Sequence, residues 1–304
     1  MDFGAFPLVL GANTFGWTSD EATSHGVLDA FVAAGGKVID TADAYSHWVP
    51  GNAGGESETI IGTWLAKRGR RDDVMIATKV SKHPQVPGLS RASIERGVEA
   101  SLRRLQTDVI DLYYAHYDDA TVPLEESLGA LSDLVDAGKV RAIAGSNYAP
   151  DRLAEAMTTS RALGAHPFVA YQGDYSLMER GFEGEMRDVV LGEHLQFLPY
   201  YGLARGFLTG KYRPGITVDS PRAEGAMQYL DNRGERVLAA LRDVAGAHAT
   251  TMAAVALAWL NAQPAVTAPI ASARTPAQLA ELLPVAGLVL EADEVQALTD
   301  ASAG

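Results

Sequence analysis

Val109-Ile110-Asp111-Leu112-Tyr113-Tyr114-Ala115-His116 is a short, largely apolar run that stops on a histidine. It is rich in β-branched and aromatic residues and is the length of one strand, so it reads as a buried strand. Two other runs end in the same way. Lys37-Val38-Ile39-Asp40 stops on a carboxylate, and Val74-Met75-Ile76-Ala77-Thr78-Lys79 stops on an amine. Tyr45 follows Asp40 by five residues, just past the second strand of the chain. Taken singly, Asp40 reads as a turn residue, Lys79 as a surface charge and His116 as hydrogen-bonded filler. Four such groups at successive strand ends form a pattern.

Outward from these runs, strand-like and helix-like segments alternate along the whole chain. Strands are expected at Phe6–Leu10, Val38–Asp40, Val74–Lys79, Val109–His116, Val140–Gly145, Phe168–Gln172, Leu195–Pro199 and Val266–Ile270. Helices are expected near Glu21–Ala34, Glu56–Arg68, Arg91–Leu105, Pro123–Ala137, Pro150–Leu163, Glu185–Leu191, Arg233–His248, Met252–Asn261 and Pro276–Leu283. An amphipathic stretch at Glu291–Thr299 reads as an appended C-terminal helix. Strict alternation argues for an α/β fold with a parallel sheet. Eight βα units in a core of ~250 residues favour the closed TIM (β/α)8 barrel, with long loops at its C-terminal mouth. The open doubly wound sheet would carry a G-x-G-x-x-G turn after its first strand. Gly11-Ala12-Asn13-Thr14-Phe15-Gly16 stands there instead. No composition break divides the chain, so residues 1–304 are expected to form one domain. In a parallel barrel Asp40, Tyr45, Lys79 and His116 converge at the C-terminal mouth, where such barrels keep their active sites.

The 304 residues carry a formal charge of −13, and 47% are hydrophobic. An acidic surface gives no reason to expect a nucleic acid or an anionic membrane as partner. There is no cysteine, which excludes disulfides, thiolate catalysis and zinc–sulfur sites. No histidine pair has zinc-ligand spacing, so no metal is expected. The N-terminus lacks the pattern of a secretion signal, and no apolar run reaches membrane-spanning length. A cytoplasmic location is the expectation.

The four residues make chemical sense together. A free tyrosine has a pKa near ~10 and is a poor acid at neutral pH. An ammonium beside it is expected to lower that value, and an aspartate paired to the lysine would fix the ammonium in place. A histidine nearby would orient a carbonyl oxygen. The result is a proton-donating site for a reacting oxygen.

Asp40-Thr41-Ala42-Asp43-Ala44-Tyr45 resembles the second-strand signature of the aldo-keto reductases. Ala77-Thr78-Lys79 and Asp111-Leu112-Tyr113-Tyr114-Ala115-His116 resemble that family's next two catalytic segments. Further phrases are similar too: Gly54-Gly55-Glu56-Ser57-Glu58, Gly145-Ser146-Asn147, Leu203-Ala204-Arg205-Gly206 with Lys211-Tyr212, and Ala273-Arg274-Thr275-Pro276. The resemblance runs from Gly11 to about Leu283. It implies an NADPH-dependent reduction of an aldehyde or ketone, with Tyr45 as general acid, Lys79 and Asp40 tuning it and His116 orienting the substrate. Ser146, Asn147 and Gln172 would hold the nicotinamide carboxamide, and Tyr200 would stack on the ring. Leu203, Arg205, Gly206 and Lys211 would lie along the pyrophosphate. Ser272, Arg274 and Gln278 would meet the adenosine end. Gln278 and Leu282 stand where many members carry a basic residue and an asparagine, which leaves Arg274 to favour NADP(H), with NAD(H) also accommodated. The same resemblance extends to NADP(H)-binding regulatory subunits such as the potassium-channel β subunits, the alternative to an enzyme.

Phe15, Trp17, Trp48, Tyr117 and Tyr201 fall in loops at the expected mouth. As a group they favour a flat or apolar carbonyl compound, with Trp17, Trp48 and Tyr117 as substrate contacts. The segment from Leu203 to about Asn232 far exceeds a usual βα connection of ~2–6 residues and is expected to close over a bound cofactor.

Overall fold

The computed structural model describes residues 3, 6–213, 215–216 and 218–303. Eight parallel strands form its main sheet: β1 Val9–Gly11, β2 Val38–Asp40, β3 Met75–Val80, β4 Ile110–Ala115, β5 Val140–Ser146, β6 Ala170–Gln172, β7 Gln196–Phe197 and β8 Ile270–Ala271. Their spatial order is β8-β1-β2-β3-β4-β5-β6-β7. The chain leading into β8 also meets β7 through a parallel bridge between Phe197 and Val266. Two bonds complete this closure: Thr267 N–H donates to Phe197 O at 2.8 Å, and Ile270 N–H donates to Pro199 O at 2.7 Å. The sheet is therefore a (β/α)8 barrel.

Two cores follow from the strand period of two. Leu10, Ile39, Ile76, Tyr113, Ile143 and Phe197 join the larger cluster that packs under the helices. Val9, Val38, Ala77, Leu112, Tyr114, Ala144, Ala170, Leu198 and Ile270 form the smaller cluster inside the barrel. The inward set explains the site. One more step of two leads from Val38 to Asp40, from Ala77 to Lys79 and from Tyr114 to His116. The same step leads from Ala144 to Ser146, from Ala170 to Gln172, from Leu198 to Tyr200 and from Ile270 to Ser272. Each polar group is the last inward residue of its strand or the first inward position beyond it, standing on apolar residues below it.

The helices begin and end where local chemistry dictates. Ser90 caps Arg91–Leu105 by accepting from Ser93 N–H, and the buried stripe of that helix is Ile94, Val98 and Leu105. Pro150 opens Pro150–Leu163, and Gly164 closes it in the left-handed conformation at φ 63°. At Gly62 the helix Glu56–Arg68 approaches its neighbour so closely that a Cβ would lie 2.0 Å from Arg104 O.

Several boundaries differ from expectation. β1 starts at Val9 rather than Phe6, and β8 at Ile270 rather than Val266. In both cases the apolar run begins before the chain reaches its pairing register. A two-residue hairpin, Lys82–His83 with Val86–Pro87, was not expected after β3. The long segment after β7 is not shapeless. It holds a tight 3-10 turn at Ala204–Thr209 and a short helix at Ala223–Met227. Positions 214 and 217 of that segment lie outside the described residues.

Candidate active site

Lys79 sits at the centre of the mouth and is fully buried, while Asp40 is 3% exposed. Its ammonium donates to Asp40 Oδ2 at 2.6 Å, to Thr41 O at 2.6 Å and to Tyr45 OH at 3.3 Å. Asp40 Oδ1 accepts from Gln172 Nε2 at 2.9 Å, so the carboxylate ties β2 to β3 on one side and to β6 on the other. A buried charge survives only when paired and hydrogen-bonded, and this pair is both. The half-buried rings of Tyr45 and His116 meet edge-on at 6.2 Å.

The electrostatic directions modify the sequence reading. The Tyr45 hydroxyl is pushed well above its ordinary range, not below it. Loss of solvent around the hydroxyl is the main cause, followed by the negative charge of Asp40. Lys79 is lowered, because burial of its ammonium outweighs the attraction of Asp40. His116 is held well below the usual histidine range by burial and by the cations of Lys79 and Lys82. Its Nδ1 has no partner among the described residues. The free protein thus holds a protonated phenol beside a neutral imidazole.

A second set of buried charges braces the site from behind. Glu58 is fully buried, accepts from Thr78 Oγ1 at 2.5 Å and pairs with Arg104 Nε at 2.6 Å. Thr78 precedes Lys79, so this pair fixes the backbone that carries the lysine. Asp43 lies beside it, raised well above the carboxylate range by burial and then by Glu58.

The tetrad opens into a cavity of about 1120 Å³. Trp17, Trp48 and Tyr117 line it as expected, with Trp17 and Trp48 edge-on at 5.6 Å and Tyr45 6.2 Å from Trp48. Phe15 does not reach it. That ring is fully buried in the larger core, because the turn after β1 folds it under the helices. Asn147, Gln172, Tyr200, Leu203, Arg205, Gly206, Lys211, Ser272, Arg274 and Gln278 all line the cavity. Ser146 does not; it is fully buried behind Asn147, whose Nδ2 donates to Ser146 Oγ at 2.9 Å and to His116 O at 3.0 Å. Asn147 Oδ1 accepts from Tyr200 OH at 2.6 Å.

The basic side of the cavity is larger than the sequence reading allowed. Arg222, from the long segment after β7, donates to Asn13 Oδ1 at 3.0 Å and lies 5.6 Å over the Trp17 ring. Arg213 also lines the cavity. No motif marks either arginine, although both lie in the long segment after β7 that was expected to close over the cofactor. Ala204, Arg205 and Gly206 have successive φ values of 45°, 59° and 95°. Such backbone costs about 1–3 kcal/mol for each non-glycine residue, and strain of this kind collects at ligand sites. Arg205 Nε is buried with no partner among the described residues. Gln278 Oε1 accepts from Arg274 N–H at 3.0 Å, so this glutamine shapes the start of the helix that Thr275 caps.

A phenol held against a buried ammonium can deliver a proton, and a basic trough leading away from it can take a dinucleotide. Together they fit an NAD(P)H-dependent oxidoreductase. The family is specific: the model of the Aldo/keto reductase family matches residues 7–303, and the chain belongs to it. It is 34% identical to the aldo-keto reductase YhdN of Bacillus subtilis, over 94% of this chain and 85% of that protein. Protein tas of Escherichia coli is 33% identical over 90% of this chain and 87% of its own length. Norsolorinic acid reductase of Aspergillus flavus is 32% identical over 97% and 77%. Among the described residues no helix is long and apolar enough to cross a membrane.

Proposed function

We propose that this oxidoreductase reduces an aldehyde or ketone to the alcohol with NADPH, and that Tyr45 is the proton donor. The contact of Tyr45 OH with Lys79 Nζ at 3.3 Å, on a lysine already anchored by Asp40, carries this reading. Bound NADPH supplies a hydride to the carbonyl carbon. The neutral imidazole of His116 has one N–H to offer the carbonyl oxygen, which places that oxygen near the Tyr45 hydroxyl. As negative charge develops on the oxygen, Tyr45 gives up its proton and becomes a phenolate. The ammonium of Lys79 stabilises that phenolate where water is excluded. The high resting pKa of Tyr45 keeps the proton in place until then.

The donor set fits the cofactor. Arg205, Lys211, Arg213, Arg222 and Arg274 face one cavity in an otherwise acidic protein. The partnerless Nε of Arg205 is available to an anion, and charge-assisted contacts to phosphate are the strong ones. Asn147 and Gln172 stand at the nicotinamide end. The test is consumption of NADPH with aromatic aldehydes, diketones and keto-sugars; no consumption with any of them overturns the reading.

Two outcomes are expected at the cofactor. Arg274→Ala weakens NADPH by about tenfold or more while leaving NADH little changed, because Gln278 brings no charge to the 2′-phosphate. Separate titrations of the two cofactors decide it, and equal losses would remove Arg274 from that role. Amides across residues 206–232 exchange more slowly once NADP(H) is saturating, because Arg222 and Arg205 hold this segment against a ligand as well as against the protein. Identical exchange with and without cofactor would leave the segment a fixed insertion.

A further inference from the structure

Lys82 is the one lysine lining the cavity, among the described residues, that lies away from the segments after β7 and β8. Arg205, Lys211, Arg213 and Arg222 follow β7, and Arg274 follows β8. Lys82 follows β3, which the strand order puts across the barrel from β7. It therefore stands apart from the cations proposed to face the cofactor. Its Nζ lies 4.0 Å over the ring of Tyr117. Tyr117 is 5.3 Å from His116, and His116 is 6.2 Å from Tyr45. Among the described residues the lysines in ion pairs are Lys79, with Asp40, and Lys139, with Glu99; Lys82 is not one of them.

The backbone places this lysine deliberately. Ser81, just before it, has φ 117°, a conformation that side-chain-bearing residues rarely adopt, and its Oγ is buried without a partner. The turn is locked by the bridge from Ser81 to Pro87 and by Gly88 N–H donating to Ser81 O at 2.9 Å. Strain of this kind is maintained where the surroundings enforce it. Here it turns the chain so that Lys82 joins the mouth beside Tyr117. None of the acids lining the cavity pairs with it: Asp40 is already bound to Lys79 and Gln172, and Glu224 and Glu281 come from the segments after β7 and β8. Trp17, Trp48 and Tyr117 provide flat apolar walls on the same side as the tetrad.

We propose that Lys82 reads an anionic group on the substrate, which is a flat aromatic aldehyde or ketone carrying a carboxylate. This rests on the carbonyl-reduction reading above. The ring would lie among Trp17, Trp48 and Tyr117, with its carbonyl at Tyr45 and His116 and its carboxylate at Lys82.

The test compares 4-carboxybenzaldehyde with methyl 4-formylbenzoate, which differ in charge and share the reacting group. The wild-type enzyme with NADPH is expected to favour the acid in kcat/KM by about five- to tenfold, the range of a partly screened charged contact. Lys82→Gln should raise KM for the acid by that factor, leaving kcat and the ester unchanged. Lys82→Arg should retain the preference, and added salt should erode it. Equal treatment of the two compounds by the wild type, or equal loss for both in Lys82→Gln, overturns the proposal. Failure to oxidise NADPH with either compound would count against the reduction reading. In that case tryptophan-fluorescence titration of the NADP+-saturated protein with benzene-1,4-dicarboxylate and its dimethyl ester decides the role of Lys82. Weaker dicarboxylate binding in Lys82→Gln supports it; unchanged binding overturns it.

Discussion

Tyr45→Phe is expected to lower carbonyl reduction by ~10²–10⁴-fold, about 3–5 kcal/mol of barrier, while cofactor affinity stays near wild type. The substitution keeps the ring and its edge contacts with Trp48 and His116 and removes the hydroxyl beside Lys79. The loss should appear in kcat, since the proton moves only in the transition state. The pH dependence follows from the same residues. Tyr45 titrates far above neutrality and His116 well below its usual range, so wild-type reduction should show no break near pH 6.5. Turnover in Tyr45→Phe close to wild type would remove Tyr45 as the acid, and a histidine-like break would mean that His116 charges within the working range.

Lys79→Met should damage both activity and stability. Activity should fall by at least ~10²-fold, because the phenolate of Tyr45 loses the ammonium that stabilises it. Stability should fall by about 3–5 kcal/mol, the usual result of stranding one partner of a buried ion pair. Asp40, with its side chain 4% exposed, would keep only the bond from Gln172. The double variant Asp40→Asn/Lys79→Met should regain much of the stability and none of the activity, since it buries no net charge. Chemical denaturation of the wild type and the two variants, alongside turnover, separates these effects. A Lys79→Met protein as stable as wild type would mean that the carboxylate is not buried as described.

The barrel and the convergence of Asp40, Tyr45, Lys79 and His116 were legible because both are written in strand-length phrases. Val38–Asp40, Met75–Val80 and Ile110–Ala115 are buried runs whose alternation continues into a polar residue at the mouth. Glu56–Arg68, Arg91–Leu105, Pro150–Leu163 and Met252–Asn261 match expectation to the residue, since capping residues and apolar spacing mark them locally. What depends on packing was not legible. Phe15 looked like a mouth aromatic and is core, while Ser146 looked like a ligand and is screened by Asn147. Arg222 reaches Asn13 across 209 positions of sequence, and no local pattern records such a contact. The direction of the Tyr45 shift was misjudged for a similar reason. Lys79 is adjacent in any reading, but the dryness around the hydroxyl exists only in the folded barrel.

Asn147 and Gln172, the proposed nicotinamide contacts, have a consequence for how a dinucleotide would be gripped. Their amides are already engaged, with His116 O, Ser146 Oγ, Tyr200 OH and Asp40 as partners. A nicotinamide carboxamide arriving there exchanges one hydrogen bond for another, and such exchanges contribute little net free energy. Arg222 and Arg213 already hold Asn13 Oδ1 and Gly210 O, but the guanidinium of Arg274 has no hydrogen-bond or ion-pair partner among the described residues to give up. In the proposed binding mode the molecule is held chiefly by its adenosine handle, while its reactive end is merely admitted. Analogues altered at the handle should change residence time; those altered at the ring should change rate and leave the grip almost as it was.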